Sequence, residues 1–118
     1  MKTKKELTGE YKQLKFRMGV FQIRNLVNGK IFIEGSSNLD SIWNRHRLEL
    51  DFGGHRNKAM QKDWKEFGEE NFRYEILSEI DHQDGVVDYS KELKLLEKMY
   101  LEELEPYEEK GYNQRPRR

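Results

Sequence analysis

The sequence predicts an α/β (α+β) domain built on a small central three-stranded antiparallel sheet flanked by helices. Three observations carry this. Two runs rich in β-branched and aromatic residues, GVFQIRNL (19–26) and GKIFIE (29–34), flank Asn28-Gly29. Asn-Gly between such runs is the strongest short hairpin signal, since a type I′ turn needs φ > 0 at both central positions. NFRYEILSEI (71–80) alternates as a third strand. Segments with helical periodicity lie between and after these strands.

Residues 3–16 read as a short, charged helix ahead of the hairpin. SNLDSIWNRHRLEL (37–50) has helical period, with Ser37 or Asn38 as its cap, and Gly53-Gly54 breaks the pattern. The period resumes over 57–67, where Met60, Trp64 and Phe67 form one stripe and Gly68 suits the C-terminus. DHQDGVVD is a polar loop, YSKELKLLEKMYLEEL (89–104) is the clearest helix, and the tail GYNQRPRR is expected to fray. No repeat, low-complexity segment or second domain is visible.

Length and composition narrow the classes. A chain of 118 residues fits one domain. With 35% hydrophobic and 37% charged residues its core must be thin, yet 12% aromatics separate it from a disordered composition. No apolar run is long enough to cross a bilayer, and the charged start MKTKKELTGE shows no secretory signal. The absence of cysteine removes disulfides, thiolate chemistry and cysteine metal sites. A cytoplasmic location and no membrane partner are therefore expected. The net charge of +0 is unevenly placed, at +4 over 1–17, +3 over 41–62, −11 over 63–109 and +4 over 110–118. Dedicated nucleic-acid binders usually show a basic excess, because phosphate neutralisation supplies most non-specific affinity.

Two deductions follow from geometry. If Asn28-Gly29 is a two-residue turn, Val27 pairs with Lys30, Asn25 with Phe32, Ile23 with Glu34 and Phe21 with Ser36. Paired residues share a face, so Phe21, Ile23, Phe32 and Glu34 project to one side of the sheet. Glu34 then either lies at the strand end and reaches water or needs a partner. On the last helix, a wheel at about 100° per residue puts Glu97 inside the stripe of Leu93, Leu96, Tyr100, Leu101 and Leu104, with Lys94, Lys98 and Glu102 pointing away. A carboxylate in such a stripe should be paired, protonated or bound to a cation. The same wheel centres His46 in the stripe of Leu39, Ile42, Trp43 and Leu50. A histidine there is more often a hydrogen-bonded core residue than a ligand, with Arg45 and Arg47 flanking it outside.

The order hairpin, two helices, strand, helix resembles the GIY-YIG endonuclease domain over residues 18–113, leaving 1–17 as a helical extension and 114–118 as a basic tail. Gly19-Val20-Phe21 is similar to the first motif, and Phe32-Ile33-Glu34 stands where the second should. SSNLDSIWNRHRLEL resembles the helix bearing an arginine and a histidine. GGHRNKAMQKDWKEFGEENFRYEILSEI resembles the following pattern, which supplies His55 and Lys58. Glu97-Lys98-Met99-Tyr100 and Gly111-Tyr112-Asn113 resemble the metal-glutamate helix and the closing motif.

The resemblance implies a site whose retained members are Glu97, as metal ligand, and His46. Both motif tyrosines are replaced, by Phe21 and Phe32, the helix arginine by Ile42 and the second-motif glycine by Glu34. A phenyl ring can neither take nor give a proton, a loss typically worth about 10²–10⁴-fold. An isoleucine cannot stabilise developing charge, worth about 10²–10³-fold more. Phe21, Phe32 and Ile42 are expected to close the old cleft as extra core beside Glu97. Arg45, Arg47, His55, Lys58 and Asn113 are the binding candidates. Mg²⁺ or Mn²⁺ is the implied cofactor, on Glu97 with Glu34 as a second ligand if the two carboxylates meet. Three readings follow: a catalytically impaired nuclease-like domain that binds nucleic acid or a protein, a metal-dependent endonuclease with rearranged chemistry, and a structural or interaction protein.

Overall fold

The structure, a computed structural model, describes residues 16–116. Strands β1 (Met18–Asn25) and β2 (Ile31–Ser36) form the hairpin, followed by helices α1 (Leu39–Phe52) and α2 (Lys58–Phe67). A short 3₁₀ turn leads into β3 (Phe72–Ile80), and α3 (Ser90–Leu104) closes the set. All strand pairs are antiparallel and the sheet order is β2-β1-β3, the expected class. The helix expected over 3–16 lies outside the described residues, apart from Phe16, which is not helical.

Asn38 caps α1, accepting the Ser41 N–H, and Gly53 ends it in the left-handed conformation. Asn57 caps α2 in the same way through the Met60 N–H. The core lies between the sheet and α1–α2, where Phe21, Ile23, Phe32, Leu39, Leu50, Met60, Trp64 and Phe72 pack together. The helix α3 covers the other sheet face more shallowly, with no fully buried residue of its own.

The hairpin register differs from the two-residue-turn expectation. Ile23 pairs with Phe32, Phe21 with Glu34 and Gly19 with Ser36. Asn25 and Lys30 close a four-residue loop, with the Gly29 N–H donating to the Asn25 carbonyl and the Val27 N–H to its side chain. Gly29 has φ +77°, whereas Asn28 does not take the positive φ that a type I′ turn requires. The slip is two residues, so each side chain keeps its face. Phe21, Ile23, Phe32 and Glu34 do share one side.

The closing segment does not fray over its first three residues. Tyr112 is buried, Gly111 bridges to Ile31, and Asn113 gives and takes a 2.8 Å hydrogen bond with the Ile33 backbone. Asn113 thereby works as a short extra rung on the edge of β2.

Candidate functional site

The polar centre on the α1–α2 face is built around His46. The apolar stripe of α1 aims its imidazole into the core, where it is 3% exposed. The rings of Phe21 and Phe32 each lie 5.7 Å from it, and neither can hydrogen-bond to it. Its partners come from elsewhere. His46 Nε2 lies 3.0 Å from Glu34 Oε1, and His46 Nδ1 lies 2.8 Å from His55 Nε2. The loop between α1 and α2 presents His55, fully buried, whose Nδ1 accepts the Asn57 N–H at 2.9 Å. Burial, together with the neighbouring His46, holds His55 below the usual histidine range, against the pull of Glu49 and Glu34. Arg56 donates to the second oxygen of Glu34. Glu34 therefore neither waits in the core unpaired nor simply reaches water: both of its oxygens are taken.

Glu97 stands on the other side of the sheet. Gly35, next to Glu34 on β2, faces α3, where a Cβ would meet Glu97 Oε2 and Leu93 at 3.2 and 3.3 Å. The Gly35 N–H donates to Glu97 Oε2 at 2.7 Å. The stripe carboxylate is thus paired, as the wheel requires. Phe21, Phe32, Ile42 and His46 come together, but Glu97 does not join them. The expected shared cleft is split by β2, because neighbouring strand residues face opposite ways.

A cavity of about 980 Å³ opens beside the edge of β2, lined in part by Glu34, Gly35, Ile42, Arg45, Arg56 and Tyr89. Ile42 forms part of its wall, while Phe21 and Phe32 are sealed in the core. Among the binding candidates, Arg45 pairs with Glu49 and Arg47 with Glu69, and Lys58 is exposed at the start of α2. His55 is inaccessible and Asn113 is spent on Ile33, so neither presents to a ligand.

Comparison with known proteins places this geometry. No family model matches the chain. Two solved structures do, both of the catalytic domain of the endonuclease I-TevI. One superposes with TM-score 0.67 and 26% identity, covering 81% of this chain and 96% of that one. The other, an E75A mutant of the same domain, gives TM-score 0.70 and 24% identity over 83% and 93%. Intron-associated endonuclease 1 of Enterobacteria phage T4 is 29% identical over 71 residues, 60% of this chain. The chain spans 29% of that relative's length.

The chain has the fold of these endonuclease catalytic domains, which supports the GIY-YIG resemblance.

The shared fold bears on the metal question. Glu34 is unsuited as a ligand here, since His46 and Arg56 occupy its oxygens and it faces away from Glu97. Glu97 keeps Oε1 without a hydrogen-bond partner among the described residues, so it fits a hard cation through one carboxylate oxygen. A different trio, His46, Glu49 and His55, places donor atoms within 4.8 Å of one another. Its protonation opposes a metal. With Nδ1 of His55 accepting from Asn57, metal on Nε2 would strip the ring of both protons, whereas a metal-bound histidine normally donates through its other nitrogen. No sequence signal singled out Glu49. The link from Glu34 to His46 had partial signals: Glu34 shares a strand face with Phe21 and Phe32, and His46 sits in the apolar stripe of its helix, but nothing paired the two.

Proposed function

We propose that this domain binds nucleic acid without hydrolysing it by the route the family uses. The observation that carries this is the internal commitment of the retained polar groups. Both His46 nitrogens and both Glu34 oxygens are spent on protein partners, and Phe21 and Phe32 offer no hydroxyl. Phosphodiester hydrolysis needs a group to take a proton and one to steady developing charge. Ile42 supplies neither. A cation held by Glu97 would lend Lewis acidity, but from the sheet face opposite His46.

Nucleic acid is supported by the similarity to endonuclease domains and by Arg45 and Arg56 at the cavity mouth. Both are internally paired, yet their side chains are 72% and 65% exposed. The Arg45–Glu49 pair is of the exposed kind worth about 0–1 kcal/mol, so a phosphate can replace Glu49 at little cost, whereas Arg56 would add a phosphate contact while keeping Glu34, which is 19% exposed. The acidic stretch 63–109 opposes wrapping, so contact is confined to a few phosphates. Titration of a labelled duplex at low and at physiological salt tests this. Binding should weaken with salt, and the Arg45→Ala/Arg56→Ala double variant should lower the log–log slope by about 2. Salt-independent binding, or none, removes the proposal.

A further inference from the structure

The contacts running from Asn57 through His55 and His46 to Glu34 admit one satisfied arrangement of protons. The Asn57 amide is always a donor, so His55 Nδ1 must accept. The neutral ring then carries its hydrogen on Nε2 and donates it to His46 Nδ1. His46 in turn carries its hydrogen on Nε2 and donates it to Glu34. Two rings hold two protons, and every contact has one donor and one acceptor. A third ring proton fits nowhere. On His55 Nδ1 it faces the Asn57 N–H, and on His46 Nδ1 it faces the His55 N–H. Moving the existing hydrogens only moves the conflict along the chain. A proton on the outer oxygen of Glu34 would instead meet the Arg56 N–H.

We propose that this chain is an acid-sensitive latch that joins β2, α1 and the start of α2, closed while the two imidazoles hold two protons and opened by a third. The charged groups facing it are Glu34 from β2, Glu49 from α1, 3.9 Å from His55, and Arg56 from the loop. The carboxylates favour the extra proton, whereas burial, the other ring and Arg56 oppose it, and the opposition wins at His55. The release is transmitted because Asn57 also caps α2 and donates from Nδ2 to the Tyr112 carbonyl at 2.7 Å. Displacing Asn57 loosens the first turn of α2 and the Gly111–Asn113 rung together. It also frees Arg56 at the cavity mouth.

Nitrogen-detected NMR of the whole chain tests this as pH is lowered. At neutral pH both rings should be Nε2–H tautomers. As pH falls, the Asn57 amide signal should shift or vanish in step with the ring signals, while β3 amides stay in place. In His55→Gln the Asn57 amide should no longer respond to pH; if that variant fails to fold, the tautomers of the natural chain decide. A Nδ1–H tautomer at His55, an Asn57 amide indifferent to ring titration, or β3 and Asn57 moving together would each overturn the latch. So would one equivalent of Zn²⁺ displacing the Asn57 contact, which would mark a metal centre.

Discussion

At the scale of single residues, Glu34 compensates for what Phe21 and Phe32 lack. An imidazole buried between two phenyl rings would leave its Nε2–H unsatisfied, and Glu34 supplies the acceptor. Leaving a buried donor unpaired costs about 1–3 kcal/mol. Glu34→Leu should lose that much in urea unfolding, and Glu34→Gln, which keeps an acceptor, should lose clearly less; equal losses would contradict the pairing. The His55 shift also has a definite sign. Its folded pKa lies below the unfolded value of about 6.5, so the unfolded state takes the proton first. Stability should be full above about pH 6.5 and fall as pH drops below it. A second loss belongs to Glu75, whose carboxyl is held low chiefly by its hydrogen bond from Arg24, and starts only below its ordinary 4.5. A thermal midpoint unchanged from neutral pH down to about pH 5 would refute the first of these windows.

At the scale of elements, the strands are held by close backbone approaches and by one borrowed rung. A Cβ on Gly19 would lie 1.9 Å from the Ser78 carbonyl oxygen of β3, a backbone atom that cannot swing aside. Gly19→Ala should therefore cost at least the upper end of the usual overpacking range, about 3 kcal/mol, read from its unfolding midpoint. This first-motif glycine is required by packing, whatever the chemistry. Asn113→Ala removes two hydrogen bonds from the edge of β2 and should cost about 2 kcal/mol, at about 1 kcal/mol each. Loss below about 0.5 kcal/mol would show that solvent replaces them freely. The elements were legible because their signals are local: periodicity gave the His46 stripe, and Asn38, Gly53 and Gly68 stand at helix ends. The hairpin register was less legible. Asn28-Gly29 marks a turn, but the Asn25 side chain takes the Val27 N–H and widens it by two residues. Face assignments survived because an even slip preserves them. The docking of Tyr112 was missed because its contacts reach back across the chain, to Asn25 and Asp63. Sequence spacing carries no such information.

At the scale of the whole molecule, the sheet divides the retained groups instead of gathering them. His46 and Glu34 lie toward α1 and α2, and Glu97 toward α3, so the cavity beside β2 that Glu34 lines does not include Glu97. Sequence reasoning could match each residue to a motif, but the split arises from the alternation of Glu34 and Gly35 on an edge strand. The charge is divided as well, with the basic stretch 41–62 facing a chain that is −11 over 63–109. Under the proposed function, this division would let the molecule touch a few phosphates at one edge without enclosing a duplex. Incubation of the purified chain with supercoiled plasmid and Mg²⁺ or Mn²⁺, beside a Glu97→Ala control, is the most direct measurement. The plasmid should stay supercoiled with both proteins; nicking by the natural chain that disappears in Glu97→Ala would mean that the domain cuts DNA with a rearranged site.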